Sequence, residues 1–283
     1  MNEAFFREWL EYFQWNAEEP DTFPWQARES LSTRERMRIA KSIATFQLGE
    51  DSEGSALMKF ARAYGDAKGF AVLPLVTAYF VQEERRHSEL LARFMEKHGI
   101  PRRRSDWTDA VFRRLRKPFG FEVSVSVLIT AELIALVYYR ALREATSSRL
   151  LRALCNKILD DEKAHVEYES ALIRAARERG GWRTEVWKAG HRLFFAATTA
   201  VVWFEHRAVL GSGGFRWKSF RAACREEFRR AFPDTDRCRP AGSAIPMDRN
   251  VLRDGGATLA SLIYRPAQAG QSGATAAKGA SEP

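Results

Sequence analysis

Two Glu-x-x-His motifs are the residues best placed to do chemistry: Glu84-Arg85-Arg86-His87 and Glu162-Lys163-Ala164-His165. Three residues along a helix turn the chain by about 300° and raise it by about 4.5 Å. Each Glu and His therefore project from one face and can grip one metal ion. Either spacing alone also describes a surface ion pair, so the weight rests on what surrounds it. Glu132 lies 30 residues before Glu162, and Glu53 lies 31 before Glu84. In each half the midpoint falls at a turn, and antiparallel helices would bring the carboxylate level with its motif. Glu50, one helical turn from Glu53 and 34 residues before Glu84, competes for the same place and stays open as the alternative.

The halves also read as a repeat, which favours Glu53. Glu53-x-x-Ala56-Leu57 matches Glu132-x-x-Ala135-Leu136, and Glu83-Glu84-x-x-His87 matches Asp161-Glu162-x-x-His165. Four carboxylates converging on an apolar core are prohibitive unless neutralised. Two divalent ions bring four positive charges against four carboxylates and two neutral imidazoles, and the cluster becomes neutral. Mixed carboxylate and imidazole ligation suits iron or manganese, whereas structural zinc more often recruits Cys. Cys155, Cys224 and Cys238 contain no CxxC pair, against a disulfide framework, a zinc ribbon or a rubredoxin-type iron site.

The elements that must position these residues read as all-helical. Val123 to Tyr139 is apolar all round a helix with Glu132 as its single charge, so that helix is buried on every face or sits in lipid. An aromatic helix over residues 3–16 precedes a Pro-containing link, and Ser32 or Thr33 caps a helix running to about Tyr64. The next helix spans about Phe70 to His98, with Pro74 near its start, and Gly99-Ile100-Pro101 stops it. A connection with a short helix after Ser105 leads to the apolar helix, then to a Thr146-Ser147-Ser148 turn and a helix ending near Arg179. Further helices run from about Thr184 to Val209 and, after a Gly-rich turn, to about Phe232. The twelve-residue run LFFAATTAVVWF in the first of these is too short to span a bilayer. The stripe Phe5, Trp9, Tyr12 and Phe13 is expected to dock on the helices that follow.

The order Glu, Glu-x-x-His, Glu, Glu-x-x-His over roughly residues 33–179 resembles the ferritin-like di-iron carboxylate superfamily, which includes rubrerythrins, bacterioferritins, ribonucleotide reductase small subunits and di-iron hydroxylases. The resemblance implies an all-α ferritin-like four-helix bundle with one long crossover and flanking N- and C-terminal helices. It divides the chain into 1–31, a di-metal bundle over 32–180, additional helices over 181–232, an irregular segment over 233–264 and a disordered tail over 265–283. It makes Glu53, Glu84, His87, Glu132, Glu162 and His165 the ligands of two iron ions, or manganese, or one of each, with Glu84 and Glu162 as the bridges. It further makes Asp161 and Glu83 the carboxylates that orient the rings of His87 and His165.

The activity so implied is a di-iron oxidoreductase that activates dioxygen or peroxide and oxidises or hydroxylates a small organic substrate. The sequence has no rubredoxin-like module, so electrons are expected from a separate reductase. The alternative is a ferroxidase in iron storage or detoxification, although the hundred or so residues after the fourth helix of the bundle make shell packing less natural. The net charge of +9 comes largely from Arg spread along helices, which reads as solvated faces and not as a nucleic-acid or membrane surface. Residues 1–16 lack the marks of a signal peptide, for which a cytoplasmic location is expected. A homodimer is compatible with the sequence.

Overall fold

Three helix starts in this chain are set by Asn or Ser side-chain caps. In the computed structural model, which describes residues 1–20, 22–51, 54–107, 120–177 and 180–233, Asn2 accepts from the Phe5 amide to open α1 (Glu3–Glu18). Ser32 does the same for Glu35 at the head of α2 (Thr33–Glu50), and Ser148 for Leu151 at the head of α6 (Arg149–Ala176). Between them come α3 (Ser55–Lys68), α4 (Leu73–Lys97, with Pro74 in its first turn) and α5 (Phe121–Ala145). Two more helices follow, α7 (Trp182–Ser212) and α8 (Trp217–Ala231). No strand occurs among the described residues.

The helix expected from Thr33 to Tyr64 is broken, and the break matters for the site. α2 ends at Glu50, and α3 begins only after Gly54, whose φ of 64° is left-handed. A Cβ on Gly54 would lie 2.4 Å from Val81 Cγ1, so both the backbone conformation and the contact with α4 require glycine. The short helix expected after Ser105 falls largely outside the described residues, as do the segments 233–264 and 265–283 apart from residue 233.

α5 packs chiefly along α6 and also meets α7 and α8, while α1, α2 and α3 pack on α4; contacts of α4 with α6, α2 with α7 and α3 with α5 join the two groups. The apolar sequence of α5 is thereby explained without lipid: 78% of its most apolar window is buried inside the protein. The corresponding share for α7 is 33%, and that helix exposes Trp182, Val186, Leu193 and Phe204. By length and composition alone both helices could cross a membrane. α7 meets α5 closely at its end, where a Cβ on Gly213 would stand 2.3 Å from the Ala141 carbonyl oxygen.

The aromatic helix α1 does dock, but on a face shifted from the expected stripe. Phe6, Trp9, Phe13 and Asn16 are its buried residues, whereas Phe5 and Tyr12 are half-buried at the rim. At the far end, two carboxylates clasp the turn between α5 and α6. Glu29 accepts from Ser148 Oγ and from the amides of Arg149 (2.9 Å) and Leu150 (3.1 Å). Glu35 accepts from Thr146 Oγ1 (2.6 Å), Ser147 N (2.9 Å) and Ser147 Oγ (2.8 Å). These bonds fix the start of α6, and with it the height of the motif that α6 carries.

Candidate metal centre

Four helices each deliver a carboxylate to one buried cluster. Glu50 is the last residue of α2, Glu84 and His87 lie midway along α4, Glu132 sits in the middle of α5, and Glu162 and His165 project from α6. Ligand atoms of Glu50, Glu84, His87 and Glu162 all fall within 4.8 Å of one another, and those of Glu84, Glu132, Glu162 and His165 do the same. The two nests share Glu84 and Glu162. Each nest thus offers a cation one carboxylate and one imidazole of its own beside the two shared carboxylates.

The histidines are turned the right way for this. His87 Nε2 lies 3.0 Å from Asp161 Oδ2, and His165 Nε2 lies 3.3 Å from Glu83 Oε2. With the Nε2 proton given to a carboxylate, the Nδ1 lone pair is left for the cluster. His87 Nδ1 stands 3.8 Å from Glu84 Oε1 and 3.7 Å from Glu162 Oε1. His165 Nδ1 is 3.1 Å from Glu84 Oε1, without the alignment of a hydrogen bond, and 4.0 Å from Glu132 Oε1. Neither Nδ1 makes a hydrogen bond, nor do Glu84 Oε1, Glu162 Oε2 and both oxygens of Glu132, although all these residues are buried. Convergent buried acceptors with no donor between them are what a cation would satisfy.

Charge tells the same story. Burial, then the neighbouring Glu84, pushes the Glu50 carboxyl up to about 8. Burial likewise raises Glu132 and Glu162 well above the ordinary carboxylate range, with neighbouring carboxylates adding to it. Burial alone would lower both imidazoles, but Asp161 beside His87, and Glu83 with Glu84 beside His165, overcome it and raise them. Without cations the cluster must therefore hold protons, and ions entering it would displace them. The donor set of carboxylates and imidazoles fits iron or manganese.

Behind the histidines lies a second polar layer. Asn16 of α1 donates through Nδ2 to Glu83 Oε1 and, at 3.0 Å, to Asp161 Oδ1. Lys157 Nζ reaches Asn16 Oδ1 at 2.8 Å and Asp161 Oδ1 at 2.5 Å. Glu83, His87 and Asp161 also converge within 4.8 Å. Their lone pairs are already met by Asn16, Lys157 and the ring N–H, so this trio supports the cluster and is not a further ion site. Phe13 and Phe80 cover His165, with ring centroids 5.9 and 4.6 Å away.

Glu53 lies outside the described residues, and the α2 carboxylate found in the cluster is Glu50. The repeat pointed to Glu53 on the premise of an unbroken helix. With α2 ending at Glu50, spacing no longer sets the height. Tyr139 Oη donates to Glu50 Oε1 at 2.6 Å, an attachment that spacing could have suggested, since Tyr139 is seven residues past Glu132 on the same face of α5. Glu169 was also missed; it is buried on α6, four residues past His165 and seven past Glu162. His191 bonds Thr130 Oγ1 (3.0 Å) and His206 bonds Ser42 Oγ (2.8 Å), so both tie α7 to its neighbours away from the cluster. A small pocket lined by Tyr64, Phe121, Val125 and Leu172 and by the Glu122–Arg177 ion pair (3.1 Å) opens about two helical turns along α5 from Glu132. No model of a known protein family, no curated protein and no solved structure matches the chain.

Proposed function

We propose that the chain is a ferritin-like four-helix bundle, formed by α2, α4, α5 and α6, that holds two iron ions, two manganese ions or one of each. It would act as an oxidoreductase on dioxygen or peroxide. The observation that carries this reading is the pair of overlapping four-residue nests whose Nδ1 and carboxylate atoms have no hydrogen-bond partner. Two adjacent redox-active ions supply Lewis acidity and electrons for reducing an oxygen–oxygen bond. The chain's own part is positional. Glu83 and Asp161 hold the imidazole tautomers, Tyr139 steadies Glu50, and Phe13 and Phe80 keep bulk water from His165. The substrate implied by the resemblance is a small organic molecule, and electrons would come from a separate reductase.

Elemental analysis of the purified protein should find about two iron or manganese ions per chain. An absorption spectrum that changes on anaerobic reduction and again on exposure to oxygen should accompany them. Glu132→Ala should leave the helical content intact and remove one ion. A wild-type protein that binds neither metal, together with a Glu132→Ala variant unchanged in metal content and fold, would sink the proposal. A large hollow assembly that mineralises ferrous iron would replace it with iron storage.

A further inference from the structure

Glu169 belongs to neither nest, yet it is as deeply buried as the residues that form them: 2% exposed, against 4% for Glu132. Seven residues past Glu162, it returns to within about 20° of that residue's direction on α6, so it shares the face that carries Glu162 and His165. Its Oε2 receives no hydrogen bond, and neither oxygen of Glu132 does. The two carboxylates face each other within hydrogen-bonding reach, so that a single proton could be shared between them when no cation is there. No Lys or Arg among the described residues pairs with either.

Two carboxylates pressed together out of water need a cation or a proton between them. His165 is the nearest basic group, and its Nε2 is already engaged by Glu83. The geometry points to Glu169 as a seventh ligand, binding the ion held by Glu132 and His165, so that the site comprises five carboxylates and two imidazoles. This rests on the two-ion reading above. It makes the two positions unequal: the ion at Glu50 and His87 keeps four protein ligands, while its neighbour gains a fifth. A fifth carboxylate also leaves one negative charge beyond what two divalent ions balance, which favours the oxidised metal at that position.

The test is an equilibrium titration of metal-depleted full-length protein with Mn(II), counting free ion by electron paramagnetic resonance, and a parallel titration with Co(II) followed by its visible absorption. Wild type should take up two ions. Glu169→Gln should bind the first with unchanged affinity and the second at least tenfold more weakly, and its Co(II) bands should intensify as the coordination number falls. The metal-free variant should melt no lower than metal-free wild type, because the change removes a carboxylate from an apolar site. If Glu169→Gln does not fold, Glu169→Asp keeps the charge and withdraws it by one methylene, and the same loss confined to the second ion is expected. A variant that binds both ions with wild-type affinity and spectrum overturns the assignment of Glu169 while leaving the two-ion site standing. A wild type that does not bind two ions overturns both.

Discussion

At the scale of single residues, Asp161 has the most demanding position. It is 2% exposed, yet its two oxygens serve His87, Lys157 and Asn16 together. Burial alone would raise its carboxyl, but the His87 and Lys157 partners hold it well below the usual carboxylate range. The carboxylate form is thereby favoured, and it keeps the His87 proton on Nε2. Asp161→Asn removes the charge while preserving shape. The expected outcome is a metal affinity about 10- to 100-fold lower with helicity unchanged. Calorimetric titration of the metal-depleted variant with Mn(II) checks it, and an affinity equal to wild type would show that the aspartate does not orient the ligand.

At the scale of elements, the heights of the motifs depend on how α6 is anchored. Glu29 and Glu35 satisfy the orphan amides at its start and in the turn before it. Burial pushes each carboxyl up, but hydrogen bonds from Ser148, Leu150 and Arg149 to Glu29, and from Thr146 and Ser147 to Glu35, bring both below the ordinary 4.5. The folded protein then binds fewer protons than the unfolded chain. The stability so contributed is present above pH 4.5 and is lost as pH falls through the depressed values. Glu35→Gln should cost about 1 to 3 kcal/mol at pH 7 in urea unfolding. The gap from wild type should narrow below pH 4.5 and close once the folded-state carboxyl is protonated. A gap independent of pH would mean that packing, not charge, is what Glu35 contributes.

At the scale of the whole molecule, the cluster is a liability without ions and a source of stability with them. Cations binding only the folded state raise stability by mass action, by about 2.7 kcal/mol per ion at a free concentration 100 times the dissociation constant. Thermal unfolding under anaerobic conditions should therefore shift upward with added Mn(II) or Fe(II), and a chelator should reverse the shift. In Glu132→Ala the upward shift should be roughly halved. A melting temperature indifferent to both metal and chelator would show that the cluster is satisfied by protons alone. The positive charge of the chain does not compensate the cluster, because the cations that reach its surroundings serve other groups: Lys157 bonds Asp161 and Asn16, and Arg86 bonds the Asn16 carbonyl.

What the sequence determined by itself is periodic. Repeated helical spacing is enough to put Glu84 with His87 and Glu162 with His165 on common faces, and an apolar surround is enough to predict that Glu132 is buried. The pairing of Asp161 with His87 and of Glu83 with His165 was implied by the family resemblance and not by spacing, and both contacts are present in the structure. Tertiary structure decided the rest, because the deciding contacts join residues far apart in the chain. α2 stops at Glu50, which Tyr139 holds in the cluster, and α3 starts afresh at Gly54, where α4 comes close. The docking of α1 brings Asn16 to Glu83 and Asp161, 67 and 145 residues away. The facing of α5 and α6 presses Glu169 against Glu132, where only a shared proton or a cation can stand between the two carboxylates. Periodicity reports the direction of a side chain from its own helix; what it meets there is a matter of how the helices pack.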